Sequence, residues 1–188
     1  LILTYKQIEQ SNKLQLLDRR ISKYNLICDL VHLYSENKTL IDNDTLYQDV
    51  KMPFSWLTNN TYLAKMYPVM EKALSQPEQN EFLTESEKIT NDAFEITIIF
   101  NGEESKIAND FVKQYMVLLK LFYKQQIALN YLQEQNQKLP MHIEVFNRKA
   151  LESFNNFKID DAINNLSETY DKIICENVLE KLLKQVKP

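Results

Sequence analysis

The stretch NDFVKQYMVLLKLFYKQQIALNYL, residues 109–132, decides the fold of this chain. Its apolar side chains mostly recur at i, i+3, i+4 and i+7, which is the spacing of a helix with one broad apolar face. Between Tyr115 and Tyr123 only Lys120 interrupts the apolar character. A helix that is apolar on most sides must be covered on most sides. We therefore predict that this helix is central and that Leu118 lies in the core.

The composition indicates an all-α fold. Gly102 is the single glycine among 188 residues, and left-handed turns, β-bulges and phosphate-binding loops depend on glycine. P-loop, Rossmann and hairpin-rich folds are therefore disfavoured. With 44% hydrophobic and 26% charged residues, the chain resembles a soluble globular domain that needs no disulfide or metal to stabilise its core. We predict one domain over residues 1–188 of about seven helices, with possible sub-bundles at 1–102 and 103–188.

Six further helices are predicted from apolar spacing and capping signals: residues 8–34, a short helix capped by Asp42 or Asp44 that runs through Val50, and residues 62–75, 86–100, 141–154 and 162–186. Residues 35–43 are polar and are predicted to form a turn. Pro53 and Pro77 are predicted to end the helices that precede them, because the residue before a proline avoids the α region. Pro68 is expected to kink the third helix or to move its start.

The predicted core faces follow from the same spacing. The first helix is predicted to bury Leu14, Leu17, Ile21, Tyr24, Ile27 or Cys28, and Val31, and to expose Asp18, Arg19 and Arg20. The helix at 141–154 is predicted to bury Ile143, Phe146, Ala150, Leu151 and Phe154. The aromatic residues expected nearest the surface are Tyr5, Tyr34 and Tyr62.

Residues 94–100 are β-branched and alternate as a strand would. Ile89, Ala93, Ile96 and Phe100 nevertheless share one helical stripe, and an isolated strand would have nothing in this chain to pair with. A helix is therefore favoured. Gly102 stands just past its end, where a helix favours a left-handed residue, and the negative charges of Glu103 and Glu104 suit the start of the next helix.

No residue set in the sequence predicts catalysis, a metal or a cofactor. Cys28 and His32 would share one helix face, but zinc needs four ligands, usually from paired clusters, and neither Cys175 nor His142 has a partner at ligand spacing. Cys28 is better explained as a small apolar residue in the core. Asp42, Asp44 and Asp49 lack the glycine of a calcium loop and are interpreted as helix caps. We therefore predict that the chain is not an enzyme.

The charge pattern also limits the classes of partner. The net charge is −4 and no block of like charges forms a basic stripe, so nucleic acid is disfavoured as the main partner. The two cysteines are far apart in sequence and suggest a reducing compartment. The longest apolar runs are too short to span a membrane. The chain lacks an initiator methionine, so it is expected to be a fragment whose membrane anchor, if it has one, lies elsewhere.

The order of local motifs resembles the DotU/TssL family, the cytoplasmic domain of an inner-membrane component of type VI secretion. The motifs are LIDND at 40–44, PFSW with Trp56 at 53–56, the aromatic and leucine-rich stretch 63–77, and FNG with Phe100 and Gly102 at 100–102. This chain departs from the family pattern in lacking a paired-glycine segment before residue 63. It also has Glu103 and Glu104 where an arginine and a tyrosine normally follow the Phe-x-Gly element.

This resemblance implies an all-α scaffold on the cytoplasmic side of the bacterial inner membrane, followed by one transmembrane helix. Its partners would be other inner-membrane and baseplate subunits of the secretion system, and a weak homodimer is possible on this basis. The alternative from the residues alone is a soluble helical effector or protein-interaction module unrelated to secretion. Neither alternative requires a cofactor or catalysis.

Overall fold

A computed structural model describes residues 2–42 and 61–186 of the chain. These residues form seven helices in chain order: α1 (Ile2–Asp42), α2 (Pro68–Glu71), α3 (Gln76–Ile99), α4 (Glu103–Lys138), α5 (Ile143–Asn156), α6 (Ile159–Cys175) and α7 (Val178–Val186). Helix α2 is a single turn, and no strand occurs in the described part. The predicted all-α class is confirmed.

Helix α4 is the centre of the fold, as the sequence predicts. It packs most extensively against α3 and α6, and it also contacts α1, α2, α5 and α7. Most of its predicted apolar positions are buried: Phe111, Val112, Tyr115, Leu118, Leu119, Phe122, Leu129 and Leu132. The helix ends before Leu139 and Pro140, because proline disfavours the helical conformation of the residue that precedes it.

The main hydrophobic cluster draws side chains from all seven helices and from the turns at 61–67. At its centre, the ring of Tyr34 in α1 lies 4.7 Å from that of Tyr170 in α6 and 6.1 Å from that of Phe111 in α4, measured between centroids. Tyr34 is thus buried, and the prediction that it lies near the surface is wrong. Tyr62 is half-buried. A smaller cluster around Leu129 joins the second half of α4 to α5.

The first helix is longer than predicted and its core lies further along the chain. It runs through the polar stretch expected to form a turn, where Asn37 donates its side-chain N–H to the carbonyl of Leu33 at 2.8 Å. Leu14 and Ile21 were predicted to be buried but are exposed, because they lie on the side of α1 opposite the fully buried Leu30. The buried face is centred on Leu30 and on its neighbours one turn away.

Pro68 and Pro77 lie at the starts of helices, which agrees with a helix start moved by Pro68 but not with the prediction that Pro77 ends the preceding helix. Pro68 is at the start of α2, and Pro77 is in the first turn of α3, because a residue without an N–H is tolerated where helical N–H groups have no partner. The predicted helix at 62–75 is therefore mostly turns. The segment 86–100 is helical as predicted, within a helix that starts at Gln76.

The C-terminal region also differs from the predictions. The helix predicted at 162–186 is broken at Glu176 and Asn177, where Asn177 adopts φ 52°, a conformation that asparagine tolerates better than most residues. In α5, Ile143 and Leu151 are exposed rather than buried. The predicted short helix capped by Asp42 or Asp44 and running through Val50, the Pro53 turn, the Trp56 motif and Asp49 lie outside the described residues, apart from Asp42, which is the last residue of α1.

Leu118→Asp and Val117→Asp test the central position of α4. Leu118 is fully buried and Val117 is 51% exposed, although they are neighbours in one helix. An unpaired buried charge costs several kcal/mol against a total stability of roughly 5–15 kcal/mol. Leu118→Asp should therefore abolish the cooperative thermal transition followed by circular dichroism, while Val117→Asp should melt close to wild type. Equal melting of the two variants would show that α4 is not central.

Candidate protein-interaction surface

The junction between α3 and α4 contains Phe100 and Gly102, both predicted to be structural positions. Phe100 is buried and its N–H donates to the carbonyl of Ile96 at 3.0 Å. Gly102 adopts φ 87° and ψ −179°, a region that is essentially restricted to glycine. The need for a glycine with positive φ is thus confirmed, although ψ is extended rather than left-handed helical. The hydroxyl of Ser105 donates to the carbonyl of Gly102 at 2.8 Å.

Arg20 of α1 holds this junction, which the sequence did not predict. Its Nε donates to the carbonyl of Ile99 at 2.8 Å and its Nη1 to the carbonyl of Gln185 at 2.9 Å. The guanidinium carbon lies 5.9 Å from the centroid of the Phe100 ring. Arg20 was predicted to be exposed and is half-buried. Apolar spacing alone gives no signal that a long cationic side chain will reach two carbonyls on other helices.

Gln185 of α7 completes the contact. Its Oε1 accepts the N–H of Asn101 at 2.8 Å, and its Nε2 donates to the carbonyl of Asn101 at 3.0 Å and to Oε1 of Glu104 at 2.8 Å. Arg20 and Gln185 together therefore connect α1 and α7 to the α3–α4 junction. Because these polar groups satisfy one another, the junction is a structural connection rather than a reactive site.

The Cys28 and His32 pair has separate partners. Burial raises the pKa of the Cys28 thiol, and its hydrogen bond with Tyr24 opposes that shift. Burial, with the Cys28 hydrogen bond, raises the pKa of Tyr24 to about 12. His32 is exposed, and its Nε2 lies 3.3 Å from Oε1 of Glu36. Within the described residues no three His, Cys, Asp or Glu side chains are grouped closely enough to hold a metal.

The exposed stripe of α4 is the strongest candidate for a functional surface. We define the α4 outer face as Lys113, Val117, Lys120, Lys124, Ile127 and Tyr131, all of which lie on one side of the helix. These residues are exposed or half-exposed although α4 is otherwise the most buried helix. The face extends for about 27 Å at 1.5 Å per residue. It was missed in the sequence because the apolar spacing of the core dominated the pattern.

Apolar side chains lie at both ends of the α4 outer face. At one end, the ring centroid of Phe94 lies 5.9 Å from Nζ of Lys113, and Ile98 follows Phe94 by one turn of α3. Phe94, Ile98 and Val117 are all more than half exposed. At the other end, a groove of about 380 Å³ is lined by Leu74, Lys124, Ile127, Ala128, Tyr131 and Phe157. Exposed apolar side chains grouped in this way are candidate interaction sites.

The α4 outer face is also basic in an otherwise acidic protein. Between Asp110 and Glu134, the charged side chains of α4 are Lys113, Lys120 and Lys124. The adjoining stripe of α3 is the one that carries Phe94. Its acidic residue nearest to Phe94 is Glu87, which lies two helical turns earlier. The face thus combines three cations with apolar side chains at its ends.

No family model, curated protein or solved structure matches this chain. The resemblance to the DotU/TssL family therefore stays a prediction. Among the described residues, no helix is both long enough and apolar enough to cross a membrane.

Arg20→Ala should lower the free energy of unfolding by about 1–3 kcal/mol, because it leaves the carbonyls of Ile99 and Gln185 without their donor. Arg148→Ala is the matched control, since Arg148 is 68% exposed and pairs within α5 with Glu152, which is 63% exposed; its effect should stay within about 0.5 kcal/mol. Urea unfolding followed by circular dichroism measures both. Equal losses of stability would contradict the role assigned to Arg20.

Proposed function

We propose that this chain is a non-enzymatic helical protein-interaction domain whose α4 outer face binds an acidic amphipathic helix of a partner protein. One observation carries this proposal: the side of the central helix that the described residues leave open has apolar side chains at its ends, and its charged side chains are those of Lys113, Lys120 and Lys124. Solvation alone would favour polar side chains in place of Val117, Phe94 and Ile98, which are exposed on this surface.

The dimensions and chemistry of the face define the partner. A helix lying along about 27 Å of α4 would contribute about 18 residues at 1.5 Å each. Helices that bind grooves do so through anchors at i, i+3, i+4 and i+7. The apolar anchors of the partner helix would contact Val117 and the groove around Tyr131. Its acidic residues would pair with Lys120 and Lys124, because opposite charges across an interface favour the correct register and suppress unsuitable partners.

The setting in which this surface acts follows from the resemblance to DotU/TssL. On that basis we propose that the chain is the cytoplasmic part of a type VI secretion subunit anchored in the inner membrane, and that it binds other subunits of that system. The glycine with positive φ at position 102 supports this, since the family's Phe-x-Gly element falls there. The alternative is a soluble helical effector or interaction module that uses the same face for another partner.

The sequence encoded beyond Pro188 distinguishes these two settings. An apolar stretch of about 20 residues there would supply the transmembrane helix that the anchored subunit needs. A stop codon at that point, with the intact protein recovered entirely in the soluble fraction, would contradict the anchored setting and favour the soluble module. Neither result bears on the binding chemistry of the α4 outer face.

A designed peptide tests the binding chemistry directly. The probe is a fluorescein-labelled amphipathic helix with leucine at i, i+3, i+4 and i+7 and glutamate on its flanks, and fluorescence anisotropy measures its binding. Val117→Asp should weaken binding at least about tenfold, since it places a negative charge among apolar and acidic groups. Ile174→Asp is the matched control because Ile174 in α6 is also 51% exposed; it should bind like wild type.

The charge of the partner is tested by reversing the charge of the peptide and, separately, the charge of the α4 outer face. A peptide with lysine in place of each glutamate should bind wild type more weakly than the acidic peptide. The double variant Lys120→Glu, Lys124→Glu should reverse that preference, while Lys172→Glu, Lys181→Glu on other helices should not. The proposal is wrong if wild type binds both peptides equally or if Val117→Asp binds the acidic peptide as well as wild type does.

A further inference from the structure

The first half of α1 carries apolar side chains that the described part of the chain leaves uncovered. All side chains described from Thr4 to Leu16 are exposed. Leu14 is 61% exposed and Ile21 is 41% exposed, whereas Leu17 between them is half-buried. A helix of this length without tertiary contacts is marginally stable in water, so another surface is expected to pack against it.

The spacing of these apolar residues is that of a coiled coil. Leu14, Leu17, Ile21, Tyr24 and Cys28 are separated alternately by three and four residues, which are the intervals between the a and d positions of a heptad. With about 3.6 residues per turn, Leu14 and Ile21 lie on the side of α1 opposite the fully buried Leu30. A second helix could therefore pack along this seam without displacing the bundle.

The charges beside the seam favour a second copy of the same helix. With Leu14 at an a position, Lys13 is at g and Asp18 is at e. In two parallel helices in register, a g residue faces the e residue five positions later in the other helix. Lys13 of one copy would therefore face Asp18 of the other, twice in each dimer. Lys13 is exposed and pairs with Glu9 at 2.7 Å, and Asp18 makes no ion pair with the described residues.

An antiparallel pair would bring g positions together and would place Lys13 beside Lys13 or Arg20 of the other copy. Like charges at these positions are unfavourable. The parallel arrangement also leaves space for the second helix, because a groove of about 340 Å³ runs along this flank of α1 and is lined by Lys13, Leu14, Leu16, Leu17, Arg20, Gln185 and Val186. The charges thus favour the parallel orientation, whereas the groove would accept a helix in either direction.

We infer that two copies of this chain associate through a parallel α1–α1 contact, with Leu14, Leu17 and Ile21 in the seam and Lys13 paired with Asp18 of the second copy. The seam is short, because each copy contributes Leu14, Leu17 and Ile21 to it, whereas a stable interface is expected to bury about 1,000 Å² or more. The dimer is therefore weak and forms at high protein concentration. It is independent of the α4 outer face, which lies on another helix.

Sedimentation velocity of the 188-residue chain over a wide range of concentration tests the seam. Wild type should shift reversibly from monomer to dimer as its concentration rises. The double variant Leu14→Gln, Ile21→Gln should raise the dimer dissociation constant at least about tenfold, because each dimer loses four apolar contacts. Ile8→Gln is the matched control: Ile8 is 55% exposed but lies off the seam, so this variant should associate like wild type.

Charge reversal tests the orientation. Lys13→Glu alone and Asp18→Lys alone should each weaken self-association about tenfold, since each dimer then contains two like-charge pairs. Mixing the two variants should restore association, because both pairs are then opposite in charge. The double variant Lys13→Glu, Asp18→Lys should associate by itself. Circular dichroism confirms that each variant retains its helix content.

Three outcomes would overturn the inference. A wild type that stays monomeric at every concentration would mean that something other than a second copy covers the seam. Dimers that persist in the Leu14→Gln, Ile21→Gln variant would place the contact elsewhere. Failure of the mixed variants to recover association would exclude the parallel register. Val117→Asp should dimerise like wild type. A failure of the dimer inference is therefore distinguishable from a failure of the proposal that the α4 outer face binds an acidic helix.

Discussion

The structure depends on covering α4. Phe111, Tyr115, Leu118 and Phe122 are almost completely buried along one stretch of this helix, and burying such a side chain contributes about 1.5–3 kcal/mol. Helix α3 and helix α6 supply most of the cover, and α1, α5 and α7 cover further parts of the helix, while the α4 outer face stays exposed. Since isolated helices gain little stability by themselves, these neighbours are held in place mainly by the apolar surface they share with α4.

The direction of α4 is set by a short polar connection at its start. Gly102 allows a backbone conformation that other residues would adopt only with strain, and Arg20 and Gln185 satisfy the carbonyls and the N–H groups around it. Side chains from two helices that are distant in sequence thus fix the angle at which α3 turns into α4. The same few hydrogen bonds join α1 and α7 to the junction, in addition to the apolar packing of these helices on the bundle.

Sequence spacing predicted what depends on local pattern. The central helix, the helical state of residues 86–100 and the positive φ at Gly102 all follow from periodicity or from the conformational freedom of one residue type. Spacing failed where tertiary position decides. Leu14 and Ile21 continue the apolar pattern of α1 but lie on its outer side, and Arg20 is held by carbonyls remote in sequence. The α4 outer face was missed for the same reason, because periodicity does not reveal which side of an apolar helix stays uncovered.

Hydrogen exchange measured by mass spectrometry tests the central claim most directly, because it reports local stability along the whole chain. If burial of α4 organises the fold, the amides of residues 111–122 will exchange the slowest and only through global unfolding, with the same free energy that urea unfolding gives. The amides of residues 4–13 in α1 will exchange far faster. Exchange in α4 that is as fast as in the start of α1, or that precedes exchange in α3 and α6, would contradict the account.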